Sequence, residues 1–150
     1  MSSPAERYSL EVADRLHSAA IHLLRGAAKP DALSGQGPAR LSALSVLVFG
    51  GPQTLGQLAA AERVKPPTMS RIVAGLKRAG LARIHIDKKD ARKIRIRVTS
   101  KGERLLQAAR QRRIQVLAET LVGLDDGELD TLRQAAELME RVAGRVSGRK

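Results

Sequence analysis

The chain has 150 residues and a mass of 16.2 kDa, enough for one ordinary domain and short for two independent ones. Its composition, 43% hydrophobic and 28% charged, is typical of a folded soluble protein, and it contains no run of about 18 apolar residues that could span a bilayer. The lack of cysteine excludes disulfides, zinc ribbons, iron–sulfur sites and thiol redox sensors, and it is compatible with a reducing cytoplasm. Residues 1–11 carry one arginine and no apolar stretch, so we expect no secretion signal.

The charge is the strongest compositional signal, since 27 basic residues against 15 acidic residues give a formal net charge of +12. Residues 62–104 alone hold 14 basic and 4 acidic residues, a local net charge of +10, which indicates a surface for a polyanion. The two aromatic residues, Tyr8 and Phe49, lie outside this segment, so stacking on single strands or RNA has no side chains to carry it. The segment also lacks the pattern of an amphipathic membrane helix. Double-stranded DNA is therefore the favoured partner, and no membrane contact is expected.

Helical periodicity predicts a first helix over residues 8–28 and a second over residues 39–49, joined by a loop rich in proline and glycine. The first helix carries two apolar stripes, one through Leu10 and Leu24 and one through Val12 and Leu23. Two stripes indicate that the helix is covered on more than one side, which suggests a second subunit.

The middle of the chain predicts a helix-turn-helix followed by a hairpin. Thr54 and Gln57 form a capping box that opens a short helix, and a further helix over residues 66–79 opens on proline and closes on Gly80. From residue 83 to residue 98 the apolar period changes to two, with isoleucines alternating with charged residues, which predicts a half-buried hairpin. Together these elements predict a winged helix.

Two long helices are predicted after the hairpin. Thr99 and Ser100 both suit an N-cap, with Ser100 and Glu103 forming a capping box, and the helix extends over residues 100–122. Asp125 and Glu128 cap a last apolar-periodic helix. The predicted fold class is therefore mostly α with a small β wing (α+β). We expect one domain over residues 1–150, with a DNA-binding lobe at 39–98 and dimerisation helices at 8–28 and 100–147.

The helix over residues 66–79 is the predicted recognition helix. If Met69, Val73 and Leu76 face the core, the opposite face is small, polar or cationic, so the backbone can approach DNA and an arginine can reach a guanine edge or a phosphate. The alternative is that Arg71 and Arg78 simply solvate an exposed face. The predicted DNA-contacting residues are Lys65, Pro67, Thr68, Ser70, Arg71, Ala74 and Arg78.

The hairpin tip is predicted to contact DNA as well. Asp90 and Arg92 are two positions apart between the strands, so the carboxylate can hold a guanidinium that enters a narrow minor groove. The alternative is a solvent-exposed turn with solubilising charges. The predicted wing contacts are Lys88, Lys89, Asp90, Arg92 and Arg95.

These residues resemble the MarR family of winged helix-turn-helix regulators, through the run VKPPTMSRIVAGLKRAGLARI at 64–84, the D-x-R at 90–92 and VTSKGE at 98–103. The resemblance implies a homodimer that represses transcription from a pseudo-palindromic site and is released by a small, often aromatic or phenolic, ligand. Two positions depart from the family pattern and bear on which bases are read: Gly75 stands where a polar or charged residue is commoner, and Pro67 replaces a frequent serine. Effector-binding residues have no linear signature, so none is assigned.

Three classes of function remain. A dimeric, sequence-specific repressor is the main hypothesis, and an architectural, non-specific (nucleoid-type) DNA-binding protein is the alternative. An enzyme is not expected, because the chain offers no placeable triad, phosphate loop or paired apolar carboxylates. No metal or cofactor is expected either, since His17, His22 and His85 lack ligand spacing and His17 is best explained as a packed residue. We expect a cytoplasmic, nucleoid-associated location.

Overall fold

The computed structural model describes residues 3–86 and 94–148, and it confirms a mostly α-helical fold with one small antiparallel sheet. The wing-tip residues Lys88, Lys89, Asp90 and Arg92 lie outside the described residues. The chain divides into two compact units, the first ending at Ile114 and the second beginning at Gln115. The elements are α1 (Pro4–Ala27), a 3-10 helix (Lys29–Ser34), α2 (Pro38–Gly50), α3 (Leu55–Ala61), α4 (Pro66–Arg78), β1 (Ala82–Ile86), β2 (Ile94–Val98), α5 (Ser100–Leu121) and α6 (Asp126–Ser147).

Side-chain capping boxes fix the start of three helices. Two of the three predicted boxes form, with Thr54 and Gln57 at α3 and Asp125 and Glu128 at α6. A third box, in which Ser3 accepts from the Glu6 N–H group, extends α1 to residue 4, four residues before the predicted start. The predicted loop over residues 29–38 contains the 3-10 helix, which ends at Gly35 in the left-handed region.

The capping box predicted for Ser100 and Glu103 is wrong. Ser100 is already the first residue of α5, and the hydroxyl of Thr99 accepts the Gly102 N–H at 3.1 Å. The Thr99 hydroxyl also donates to the Gly80 carbonyl oxygen at 2.7 Å. This tertiary hydrogen bond selects Thr99 over its neighbour as the helix cap.

The core of the first unit lies where α2, α3, α4, the base of the sheet and the start of α5 meet. Each large side chain at its centre contributes about 1.5–3 kcal/mol by leaving water. The largest fully buried side chains are Leu44, Leu47, Leu58, Met69, Leu76 and Leu81.

The sheet is buried at its base and exposed along most of its length. Ile84 pairs directly with Ile96, yet Ile96 is 2% exposed and Ile84 is 46% exposed. Ile96 has a second neighbour, because its N–H and carbonyl groups exchange hydrogen bonds with Gln53 at 2.7 and 3.1 Å. Ile86 and Ile94 are also exposed, so the prediction of a half-buried hairpin holds only at the base.

The C-terminal end of α4 is closed by a Schellman motif. Gly80 has a φ of 72°, and the N–H groups of Gly80 and Leu81 donate to the Lys77 and Leu76 carbonyl oxygens at 2.9 Å each. The Lys101 ammonium group donates to the Ala79 carbonyl oxygen at 2.9 Å. Backbone and side chains together therefore satisfy the last carbonyl groups of the helix.

The long helices expose their apolar residues. Every described side chain of α6, from residue 126 to residue 146, is exposed, and α1 buries only Ala27 among its residues. In the described ranges, no helix is long and apolar enough to cross a membrane. Exposed large apolar residues on these helices are Tyr8, Leu10, Val12, Leu23, Leu24, Leu129, Leu132, Leu138, Met139, Val142 and Val146.

Candidate nucleic-acid interface

The helix α4 presents one face to the core and the opposite face to solvent. Met69, Val73 and Leu76 are buried along the inner face, and Ile72 is half-buried beside them. This apolar stripe fixes the rotation of the helix about its own axis, because any other rotation would expose it. All seven residues predicted to contact DNA from this helix are exposed, namely Lys65, Pro67, Thr68, Ser70, Arg71, Ala74 and Arg78.

The outer face of α4 is cationic and carries no counter-charge. Arg71 and Arg78 are seven residues apart, which places them on one face about 10 Å apart along the axis. Neither forms an ion pair or a hydrogen bond with another side chain in the part of the chain that the structure describes. Ala74 lies between the two arginines, and its small side chain leaves the helix backbone accessible at the centre of this face. Such a face can offer forked N–H donors to guanine edges or phosphates.

The two strands add a second cationic surface. Arg83 pairs with Arg97 and His85 pairs with Arg95, so one side of the hairpin is basic along its described length. Arg95 is half-buried, and its guanidinium donates to the Pro52 carbonyl oxygen at 3.5 Å. Of the predicted wing contacts, Arg95 is the one that the structure places, since the other four lie outside the described residues.

Sequence reasoning missed Arg40, which lies beside the predicted recognition helix. A groove of about 510 Å³ is lined by Arg40, Arg71, Ile72 and the first turn of α2. The contact joins two helices that are about 30 residues apart in sequence, and no linear pattern points to it. Gly75, noted as a departure from the family pattern, lies under the Arg40 guanidinium.

Within residues 3–86 and 94–148, no group of three or more acidic or histidine side chains is placed to hold a metal ion. His17, predicted to be packed, is exposed in this chain.

The chain is similar in sequence and in fold to known regulators, although no protein-family model matches it. A helix-turn-helix-type transcriptional regulator of Mycobacterium tuberculosis is 42% identical over 100 residues, which are 67% of this chain and 70% of the relative.

Two solved structures show the same fold. A MarR family protein from Bacillus stearothermophilus is 24% identical, with a TM-score of 0.78 over 93% of this chain and 97% of that chain. A point mutant of MepR from S. aureus, bound to an oligodeoxyribonucleotide, is 18% identical, with a TM-score of 0.67 over 89% of this chain and 96% of that chain.

These similarities show which class of protein the chain belongs to. The sequence relative is named as a transcriptional regulator, and the first solved structure is a MarR family protein, which confirms the prediction that the chain is not an enzyme. The order of helices, the helix-turn-helix at α3 and α4 and the two-stranded wing agree with that fold. The chain belongs to the helix-turn-helix-type transcriptional regulators, and its fold is that of the MarR family proteins.

Proposed function

We propose that this regulator is a homodimeric repressor that binds a pseudo-palindromic double-stranded DNA site and is released by a small aromatic or phenolic ligand. The observation that carries the proposal is the outer face of α4, which is cationic, free of carboxylate partners among the described residues and fixed in rotation by its buried inner stripe. A structure of a relative with bound oligodeoxyribonucleotide supports the same use of the fold.

The proposed contacts divide between helix and wing. Residues of the α4 segment, from Lys65 to Arg78, enter the major groove, with Arg71 contacting a base edge. Lys88 and Lys89 contact phosphates, and Arg92, held by Asp90, enters the flanking minor groove. The hydrogen bond from Arg95 to the Pro52 carbonyl oxygen stabilises the base of the wing. The protein acts in the cytoplasm, associated with the nucleoid.

Homodimer formation is supported by the exposed apolar side chains of α1 and α6. A lone chain leaves Leu24 70% exposed and Val146 69% exposed, together with apolar residues at helical spacing between residues 129 and 146. Large apolar side chains exposed at helical spacing along a helix are typical of interfaces. We propose that residues 1–150 act as one MarR-type domain, in which helices 8–28 and 100–147 pair two chains around a two-fold axis. The two DNA-binding lobes, at residues 39–98, then contact half-sites one helical turn apart.

A cavity in the first unit is the proposed effector site. Its volume is about 450 Å³, within the usual range for small-molecule pockets, and it lies between the end of α1, the 3-10 helix, α2 and α5. Leu24, Leu41 and Leu106 line one part and suit an aromatic ring. Asp31 and Arg113 form an ion pair of 2.8 Å at the rim, so an acidic or phenolic group has a cationic partner within reach.

One hydrogen bond joins this cavity to the helix-turn-helix. Ser42 lines the cavity, and its hydroxyl donates to the Glu62 carboxylate at 3.0 Å. Glu62 is the C-cap residue of α3, four residues before α4 begins. We propose that an effector competes for the Ser42 hydroxyl and so favours a lobe arrangement that does not fit the operator.

Selection of duplexes from a random pool tests the DNA-binding part. We expect recovered sites with two-fold symmetry and half-sites about 10 base pairs apart. Competition against bulk DNA then separates specific regulation from the architectural alternative. If no duplex outcompetes bulk DNA, the protein is a non-specific binder and the proposal is wrong.

The effector part is tested with phenols and hydroxybenzoates on the protein–DNA complex. We expect at least one compound to weaken DNA binding in the wild type and to act less on Arg113→Ala. Sedimentation of the DNA-free protein measures its oligomeric state. A monomer at micromolar concentration contradicts the proposed homodimer.

A further inference from the structure

Gly75 is an unfavourable residue for its position in the middle of α4. A glycine in a helix interior costs about 1 kcal/mol relative to alanine. Gly75 is nevertheless buried, and a Cβ atom there would lie 2.6 Å from Cζ, Nε and Nη2 of Arg40. The missing side chain therefore leaves the space in which the Arg40 guanidinium lies against α4.

The Arg40 guanidinium is held on a second side as well. Its Nη1 donates to the Gln36 side-chain oxygen at 3.2 Å, just before α2 begins. A guanidinium with these two contacts is less free to rotate than one surrounded by solvent, before any ligand arrives. Binding through such a group carries a smaller entropy cost than binding through a free arginine.

The guanidinium lies at the edge of the cationic face of α4. Gly75 is four residues after Arg71 and three before Arg78, so the three positions are neighbours on one side of the helix. Arg40 and Arg71 line the same groove, and neither forms an ion pair with a carboxylate of the described residues. The first turn of α2 lines the groove too and has no side-chain cap, which adds partial positive charge. Two guanidinium groups and a helix amino terminus line this groove, which makes it electrostatically favourable for an anion.

We propose that Arg40 is a DNA-contacting residue contributed by α2, whose guanidinium binds a backbone phosphate at the edge of the groove that α4 enters, and that Gly75 is the positioning residue that admits it. The inference rests on the proposed DNA binding and extends it to a second helix. A phosphate contact adds affinity without base preference.

The experiment compares Arg40→Ala, Gly75→Ala and the double variant with the wild type, on the duplex recovered by selection and on a random duplex of equal length. Arg40→Ala lowers affinity for both duplexes alike, by about tenfold per lobe. The slope of log affinity against log salt falls by about one unit per lost contact. Lys29→Ala, which removes an exposed lysine of the 3-10 helix, is the charge-matched control and leaves the slope unchanged.

Gly75→Ala separates positioning from a general structural role. The added Cβ meets the far end of a flexible side chain, so the Gly75→Ala variant melts no lower than the wild type while Arg40 is displaced. It reproduces most of the affinity loss of Arg40→Ala, and in the Arg40→Ala background it causes no further loss.

Two results overturn the inference while leaving the proposed function intact: Arg40→Ala binds like Lys29→Ala, or Gly75→Ala costs as much affinity with Arg40 absent as with Arg40 present. Failure of the wild type to select any duplex refutes the proposed function itself, and the inference with it.

Discussion

Gly102→Ala tests how rigidly α5 is joined to the wing. A Cβ atom at Gly102 would overlap the Leu81 carbonyl oxygen and lie 2.9 Å from Cγ2 of Val98. Leu81 cannot move aside, because its carbonyl oxygen accepts the Thr99 N–H at 3.0 Å and its own N–H donates to Leu76 at 2.9 Å. The added methyl group must therefore displace backbone rather than a side chain.

The expected cost follows from two opposing terms. Overpacking that must displace backbone costs about 2–3 kcal/mol, the upper part of its usual range, and replacing a helical glycine by alanine returns about 1 kcal/mol. The variant is then destabilised by about 1–2 kcal/mol, which lowers the melting temperature by roughly 2–8 °C for a chain of this size. Circular dichroism melts at one protein concentration measure this, since the proposed subunit association makes the melting temperature depend on concentration.

The matched control is Gly56→Ala in the first turn of α3. A Cβ atom at Gly56 would meet nothing within 4 Å, so this variant melts at or above the wild-type temperature. If Gly102→Ala also melts at or above the wild type, α5 can move away from Leu81 and Val98 without cost and the argument from close packing is wrong.

Three further predictions concern DNA binding, helix capping and assembly. Arg71→Ala reduces discrimination between the selected duplex and single-base variants by about 1–3 kcal/mol at one position, and equilibrium titrations showing unchanged discrimination would contradict its base-contacting role. Asp125→Ala removes the hydrogen bond of 2.8 Å to the Glu128 N–H group and lowers the free energy of unfolding by about 1 kcal/mol in urea, with no effect expected if the box forms only transiently. Leu132→Glu places a charge among the exposed apolar residues of α6 and converts the proposed dimer to monomer in sedimentation experiments; a persistent dimer would exclude α6 from the interface.

Features set by neighbours along the chain could be predicted from sequence. The capping boxes at α3 and α6 depend on side chains three residues apart, and both form as expected. The same signature at Ser3 and Glu6 was available, but it lies ahead of the first apolar stripe, and periodicity alone therefore started α1 too late. The inner stripe of α4 followed directly from helical spacing.

Features set by tertiary contacts could not be predicted. Thr99 and Ser100 are equally suited to cap α5, and the hydrogen bond from Thr99 to Gly80 decides between them. An alternating pattern indicates which side of a strand is apolar, but not how far the core extends beneath it, so the exposure of Ile84 was missed. The position of Arg40 over Gly75 depends on how α2 crosses α4, which a single sequence does not encode locally.

The two ends of α4 are secured very differently. Lys101 and the turn at Gly80 bind the last carbonyl groups, whereas the first turn opens on two prolines and has no side-chain cap at Lys65. The two prolines remove two N–H groups that would lack a partner, and the N–H groups of Thr68 and Met69 donate to the Lys65 carbonyl oxygen at 3.0 and 3.1 Å, so backbone alone holds this end. In the proposed complex with DNA, the tethered carboxy-terminal end therefore keeps Arg78 in one register with the backbone of the double helix.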